Sequence, residues 1–214
     1  MIVGKGELTA WASQFPSSLL HRVFELIFSS WASFDIAEDH LEVPITKRFC
    51  EHLCNNKNRE YHYFRIEPES IAIDKDFKET GRIDLKFIHC GSGDERVYFS
   101  LECKRLRATS GKGNFSTLSS EYVDEGMARY VTKQYAEALN KGGMLGYVMD
   151  GDVVQAVENV KKSIHSKKAI LRMDEGSSFR KSKKQKKVYE TLHALKDLQE
   201  PFIIYHLFLP VSAA

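Results

Sequence analysis

Apolar residues recur at helical spacing in SSLLHRVFELIFSSWA (17–32), where Leu19, Leu20, Val23, Phe24, Ile27, Phe28 and Trp31 share one face and Ser17 or Ser18 can cap the start. A second helix is predicted from about Pro44, a residue tolerated in a first turn, to Asn55, on Ile45, Phe49 and Leu53. The period then shortens, and strands are predicted over 61–67, 82–88 and 97–104. A third helix is predicted over 121–140, with Ala128, Val131, Tyr135 and Ala138 or Leu139 on one stripe. After it come a buried strand over 144–149, a helix over 152–165, and two closing strands in VYETLHAL (188–195) and FIIYHLFLPV (202–211). The order helix, three strands, helix, strand, with additions, predicts an α/β class: a mixed sheet flanked by helices. Its core spans about 42–150, a basic loop about 161–187 and a C-terminal β-hairpin about 187–210, within one domain over 1–214 that has no internal repeat.

Composition narrows the class only slightly. In 214 residues, 43% are hydrophobic and 28% charged, which excludes disordered, collagen-like and coiled-coil chains. No apolar run reaches the roughly 18 residues of a membrane span, and MIVGKGELTA lacks the regions of a signal peptide. Four cysteines, two of them in apolar contexts, fit a reducing compartment. The expectation is a cytoplasmic protein without membrane association.

Charge is informative in its distribution. Residues 161–187 hold eleven basic side chains against Asp174 and Glu175, a local charge of +9 in a chain whose net charge is +2. Such polarity suits a polyanion such as a nucleic-acid backbone, with Lys183, Lys184, Lys186 and Lys187 as the densest contacts. A solvated, self-repelling loop is the simpler explanation of the same run.

The candidate chemistry lies in the second and third predicted strands. Alternation in Phe99-Ser100-Leu101-Glu102-Cys103-Lys104 sends Glu102 and Lys104 to one face and Cys103 to the other. In Arg82-Ile83-Asp84-Leu85-Lys86-Phe87, the residues Ile83, Leu85 and Phe87 share a face opposite Asp84. A hairpin symmetric about the glycine-rich turn at 90–94 sets Asp84 across from Glu102, with Cβ atoms about 4.5–5.5 Å apart. Two facing carboxylates call for a cation between them. Mg²⁺ (or Mn²⁺) fits, since it takes oxygen ligands from one or two carboxylates plus water and phosphate. Lys104 would stand beside it, balancing phosphate charge and orienting or helping to deprotonate a water. Exposed pairs of Asp84 with Arg82 or Lys86, and of Glu102 with Lys104, are the bland alternative.

Asp84 in GRIDLKF and Glu102-Cys103-Lys104 in YFSLECKRL, set in this order of elements, resemble the PD-(D/E)XK nuclease superfamily, the restriction-endonuclease-like fold. The resemblance covers about 42–150, and Ile83 stands where the family's motif has proline. It implies Mg²⁺-dependent hydrolysis of phosphodiesters, most often in DNA, with Asp84, Glu102 and Lys104 catalytic and with Asp84, Glu102 and the Cys103 carbonyl as metal ligands. A further acidic ligand on the first core helix would be Glu42, or alternatively Glu51. On the helix after the active-site strand, Arg129 and Lys133, four residues apart, and Gln134 are candidate substrate contacts, as is Arg105. The loop over 108–120, with Lys112, is long enough to cover the site. Family analogy further implies a helicase or ATPase partner, as in a bacterial or phage defence system, or a homodimer.

Other constellations carry less. Cys50-x-His52-x-Cys54 lacks a second pair at zinc spacing, Trp11 and Trp31 read as core, and His193 and His206 sit where the last two strands can face them together. No phosphate loop or dinucleotide fingerprint is present in the chain. Besides a nuclease, two readings stay open: a catalytically idle module of the same fold that binds nucleic acid or protein, and an unrelated α/β interaction domain with a basic segment.

Overall fold

A computed structural model describes residues 15–36, 41–56, 64–73, 78–91, 95, 97–108, 116–135, 139–195 and 198–211. Trp11, Lys112, the start of the first predicted strand and the glycine-rich turn after Gly91 lie outside them. The helices α1 (Ser17–Trp31) and α2 (Glu42–Asn55) precede the strands β1 (Phe64–Ile73), β2 (Glu79–His89) and β3 (Tyr98–Leu106). The helical segment α3 over 119–131 leads to β4 (Lys141–Val148), then α4 (Val153–Ser166), β5 (Arg180–Lys181), β6 (Tyr189–His193) and β7 (Phe202–Pro210). One seven-stranded mixed sheet results, in the order β1-β2-β3-β4-β7-β6-β5. The pairs β3–β4 and β4–β7 are parallel and the others antiparallel. The expected helix, three strands, helix, strand order is present as α2-β1-β2-β3-α3-β4.

Helices cover both faces, and alternation along each strand feeds two separate cores. Leu101, Cys103, Leu145, Tyr147, Leu207 and Leu209 pack under α1 and α2. Leu106, Met144, Val148, Ile204 and Phe208 pack under α3 and α4. Every residue of β4 is buried, as expected of a parallel strand covered on both faces. Trp31 is fixed as core by stacking on Tyr147 at 5.5 Å and by donating Nε1–H to the Pro210 carbonyl at 2.7 Å.

Three local expectations need correction. The predicted helix over 121–140 ends at Val131, and its centre is π-helical over Tyr122–Met127. Thr132 bonds back to the Ala128 carbonyl at 2.8 Å and Lys133 takes a left-handed φ of 62°, so the chain turns away and the helical stripe stops. Ile83 leaves the face of Leu85 and Phe87 and joins the core under α3. The β1–β2 pair turns at this level, where Glu69, between the pairs Pro68–Leu85 and Ser70–Ile83, adopts a left-handed φ of 46°. The closing hairpin gains a short third strand, β5, at the sheet edge. Among the described residues, no helix is long and apolar enough to cross a membrane.

His193 and His206 are fully buried and are joined through Thr191 rather than facing each other directly. Burial lowers the pKa of His193 to about 4 and depresses that of His206 further, so both rings are neutral. The direction of every bond then follows. The Leu171 carbonyl only accepts, so His193 donates through Nδ1 at 2.7 Å and accepts the Thr191 hydroxyl at Nε2. Thr191 in turn accepts from His206 Nε2, and Tyr122 donates to His206 Nδ1 at 3.0 Å. This chain fastens α3 to β6 and β7. Thr191→Val would leave a buried donor and a buried acceptor unpaired, and should cost about 2 kcal/mol or more in chemical denaturation. Imidazole ¹⁵N spectra at pH 6 should show His193 as the Nδ1–H tautomer and His206 as Nε2–H; a cationic ring at that pH would contradict the network.

Candidate active site

The β2–β3 ladder runs from Ile88–Tyr98 to Leu85–Leu101, and the next position on that register sets Asp84 opposite Glu102. There the direct ladder stops. The Asp84 carboxylate fills the gap by accepting the Cys103 N–H at 2.7 Å. Because the N–H and C=O of one strand residue point to the same side, the Cys103 carbonyl also faces this gap. The Cys103 side chain points the other way, into the core under α1 and α2, and burial keeps its thiol protonated.

Glu102 has no solvent exposure, and its pKa is pushed up to about 7 by burial and by the neighbouring Asp84 charge. Burial also raises Asp84, against the Cys103 N–H bond and the Lys104 charge. Two cations hold Glu102. Lys104 Nζ is 2.9 Å from Oε1, and Arg129 Nη1 is 2.9 Å from Oε1 and 3.0 Å from Oε2. Oε1 thus lies 2.9 Å from both cations. Lys104 is also bound to Glu42, whose Oε1 lies 3.1 Å away and whose Oε2 accepts the Arg105 backbone N–H at 2.9 Å. Burial pulls the Lys104 ammonium down, but Glu102 and Glu42 more than offset this and hold it above its ordinary value. Lys104 is therefore a fixed cation. Orientation and charge balance fit this environment; removal of a proton from water does not.

Helix α3 approaches closely because residue 126 is glycine. A Cβ there would stand 2.2 Å from the Met144 methyl and 3.6 Å from Glu102 Cγ. A π-helical stretch at a candidate functional site is a recurring association. Its effect here is to deliver Arg129 to Glu102. Beyond the helix, Tyr135 accepts from Arg129 at 2.6 Å, donates to the Arg82 carbonyl of β2 and lies under the guanidinium at 5.5 Å. Tyr135 joins the site although its spacing marked it only as part of an apolar stripe. An aromatic residue with a hydroxyl, one helical turn and a half after an arginine, was the available signal.

The structure thus brings Asp84, Glu102, Lys104, Glu42, Arg105 through its backbone, and Arg129 together. It leaves others apart. Glu51, the alternative to Glu42, lines a cleft with Asp35, Arg48, His52 and Asn55 further along α2. Lys133 does not share a helical face with Arg129 after the helix ends, and the Gln134 amide lies against Gly81 of β2. Lys183, Lys184, Lys186 and Lys187 are exposed in the connection between β5 and β6, the two strands at the other end of the strand order from β1 and β2. Lys187 sits over the Phe28 ring of α1, on the face away from Glu102. Cys50 is buried, Cys54 exposed, none of the four cysteines is in a disulfide, and His52 is taken up by Ser30 and Ser33, so among the described residues these three form no metal cluster.

Comparison with protein-family models, curated proteins and solved structures finds no match. Among the described residues, no three His, Cys, Asp or Glu side chains gather closely enough to hold an ion by themselves. The donors that do meet are hard oxygens, two carboxylates and a carbonyl. That set suits Mg²⁺, which completes its shell with water and phosphate. The carboxamide of Asp84→Asn can still accept the Cys103 N–H without a buried charge. That variant should be at least as stable as the parent in denaturant titration, whereas Asp84→Ala, which abandons the N–H, should lose about 1–2 kcal/mol.

Proposed function

We propose that this chain is a divalent-metal-dependent nuclease that hydrolyses phosphodiester bonds, on the restriction-endonuclease-like plan that its motif resembles. The observation that supports the reading best is the meeting of Asp84, Glu102 and Lys104 where β2 and β3 part, with Glu42 reaching the same lysine. DNA as substrate, and a helicase, ATPase or second copy as partner in a defence setting, rest on the resemblance.

Asp84, Glu102 and the Cys103 carbonyl would hold Mg²⁺, which would polarise a phosphoryl oxygen and lower the pKa of the attacking water. Lys104 remains an ammonium and orients the phosphate and water while countering the negative charge that develops at phosphorus. Glu42 aims that ammonium and, through the Arg105 N–H, ties the start of α2 to β3. Water adds to phosphorus and gives up a proton to bulk solvent, the bond to the leaving oxygen breaks, and that oxygen takes up a proton from solvent, so that no net proton is consumed. The basic residues between β5 and β6 come from the other end of the strand order. Their part is to hold the polyanion elsewhere along its length.

Purified protein should cleave nucleic acid with Mg²⁺ or Mn²⁺ and stop on addition of EDTA. Lys104→Ala should lower the rate at least about 100-fold with an unchanged circular dichroism spectrum. Undiminished cleavage in that variant would remove Lys104 from the mechanism, and binding without any cleavage in the parent would leave an idle module. Neutralising Lys183, Lys184, Lys186 and Lys187 to Gln should flatten the salt dependence of binding while leaving kcat unchanged. An unaltered salt slope would reduce the loop to a solvated edge.

A further inference from the structure

The two cations on Glu102 are not equivalent. Lys104 comes from the same strand, is 11% exposed and is gripped a second time by Glu42. Arg129 comes from a different layer, is 33% exposed and is also held by Tyr135, whose hydroxyl accepts from the same Nη1 and whose ring lies under the guanidinium. A single guanidinium nitrogen, Nη1, reaches both carboxylate oxygens, 2.9 Å from Oε1 and 3.0 Å from Oε2. Arg129 therefore occupies the carboxylate that a cation would need. Formal charges sharpen the point. Glu42, Asp84 and Glu102 against Lys104 and Arg129 leave −1 in the cluster, and withdrawal of Arg129 leaves −2. With the guanidinium seated, the cluster offers a divalent cation half the charge it would otherwise offer, and both Glu102 oxygens are in contact with Nη1.

We propose that Arg129 is a displaceable counter-ion that occupies Glu102 until a divalent cation arrives. Seated, it gives the fully buried carboxylate a second cation beside Lys104 in the ion-free protein, where loss of a partner from a buried ion pair is strongly destabilising. Displaced, it stays close by through the Tyr135 ring and hydroxyl and is free to meet a substrate phosphate, an anion that guanidinium forks bind well. Arg129 and the cation thus compete for one carboxylate, a negative coupling that runs equally in both directions. This inference rests on the metal-dependent reading above and adds to it the regulation of cation entry.

The test is calorimetric titration of Mg²⁺ and Mn²⁺ into the full chain and its Arg129→Met, Arg129→Lys and Tyr135→Phe variants, with melting curves taken with and without ion. Arg129→Met should bind both ions about tenfold more tightly than the parent. Its Tm should be lower than the parent's without ion and should recover when ion is added. Arg129→Lys, which keeps a positive charge, should shift affinity less. Tyr135→Phe weakens the anchor and leaves every charge in place, so it should tighten ion binding severalfold even if Arg129→Met does not fold. Parent binding that is unchanged or weakened in both Arg129→Met and Tyr135→Phe would overturn the competition while leaving the nuclease reading intact. Absence of ion binding in the parent and in every folded variant would overturn both.

Discussion

Glu102 is a carboxylate with no exposure at the middle of a sheet, and the surrounding structure answers that single charge. Isolated, it would take up a proton rather than stay ionised, because burial of an unpaired charge is costly. Three elements meet it. β3 supplies Lys104 from two residues on, α2 steadies that lysine with Glu42, and α3 brings Arg129 from above. The divergence of β2 from β3 opens the space and brings Asp84 alongside, which raises the Glu102 pKa further. A site that is electrostatically strained without added ions is a natural receptor for one.

The position of α3 is consequently under tight control. At its start Tyr122 is bound to His206, and through Thr191 and His193 to the carbonyl of Leu171. Past its end Tyr135 is bound to the Arg82 carbonyl on β2. Arg129 lies between these two fastenings, so the far strands β6 and β7 and the near strand β2 together set where its guanidinium sits. Glu102, Met144, His206 and Tyr189 form one row across β3, β4, β7 and β6, which makes the histidine chain a direct structural neighbour of the site. Gly126 completes the arrangement by allowing the helix to close on Met144 and Glu102.

Much of this was legible from local pattern. The facing of Asp84 and Glu102 follows from two alternating strands and a turn centred between them, and the observed register agrees with it. Glu42, expected as a metal ligand, reaches the cluster through Lys104, and Arg129, expected as a substrate contact, reaches it through Glu102. What the pattern did not carry is long-range. No periodicity announces that β7 inserts between β4 and β6, which is why the lysines at 183–187 end at the edge farthest from the site. The π-helical turn and the left-handed Lys133 also escaped, because apolar spacing continued past Val131 after the backbone had already turned. Ile83 misled for a related reason: alternation holds only while a strand keeps its twist, and β1–β2 turns beside Glu69.

The most direct test of the central claim, that the gap between β2 and β3 is a divalent-cation site guarded by the chain's own arginine, is a crystal structure of the protein soaked in Mn²⁺, read by anomalous scattering. The account predicts one strong anomalous peak between the carboxylates of Asp84 and Glu102, with the Arg129 guanidinium turned off Glu102. A map with Arg129 still seated there and no peak in that gap, or with the ion held elsewhere, would contradict it.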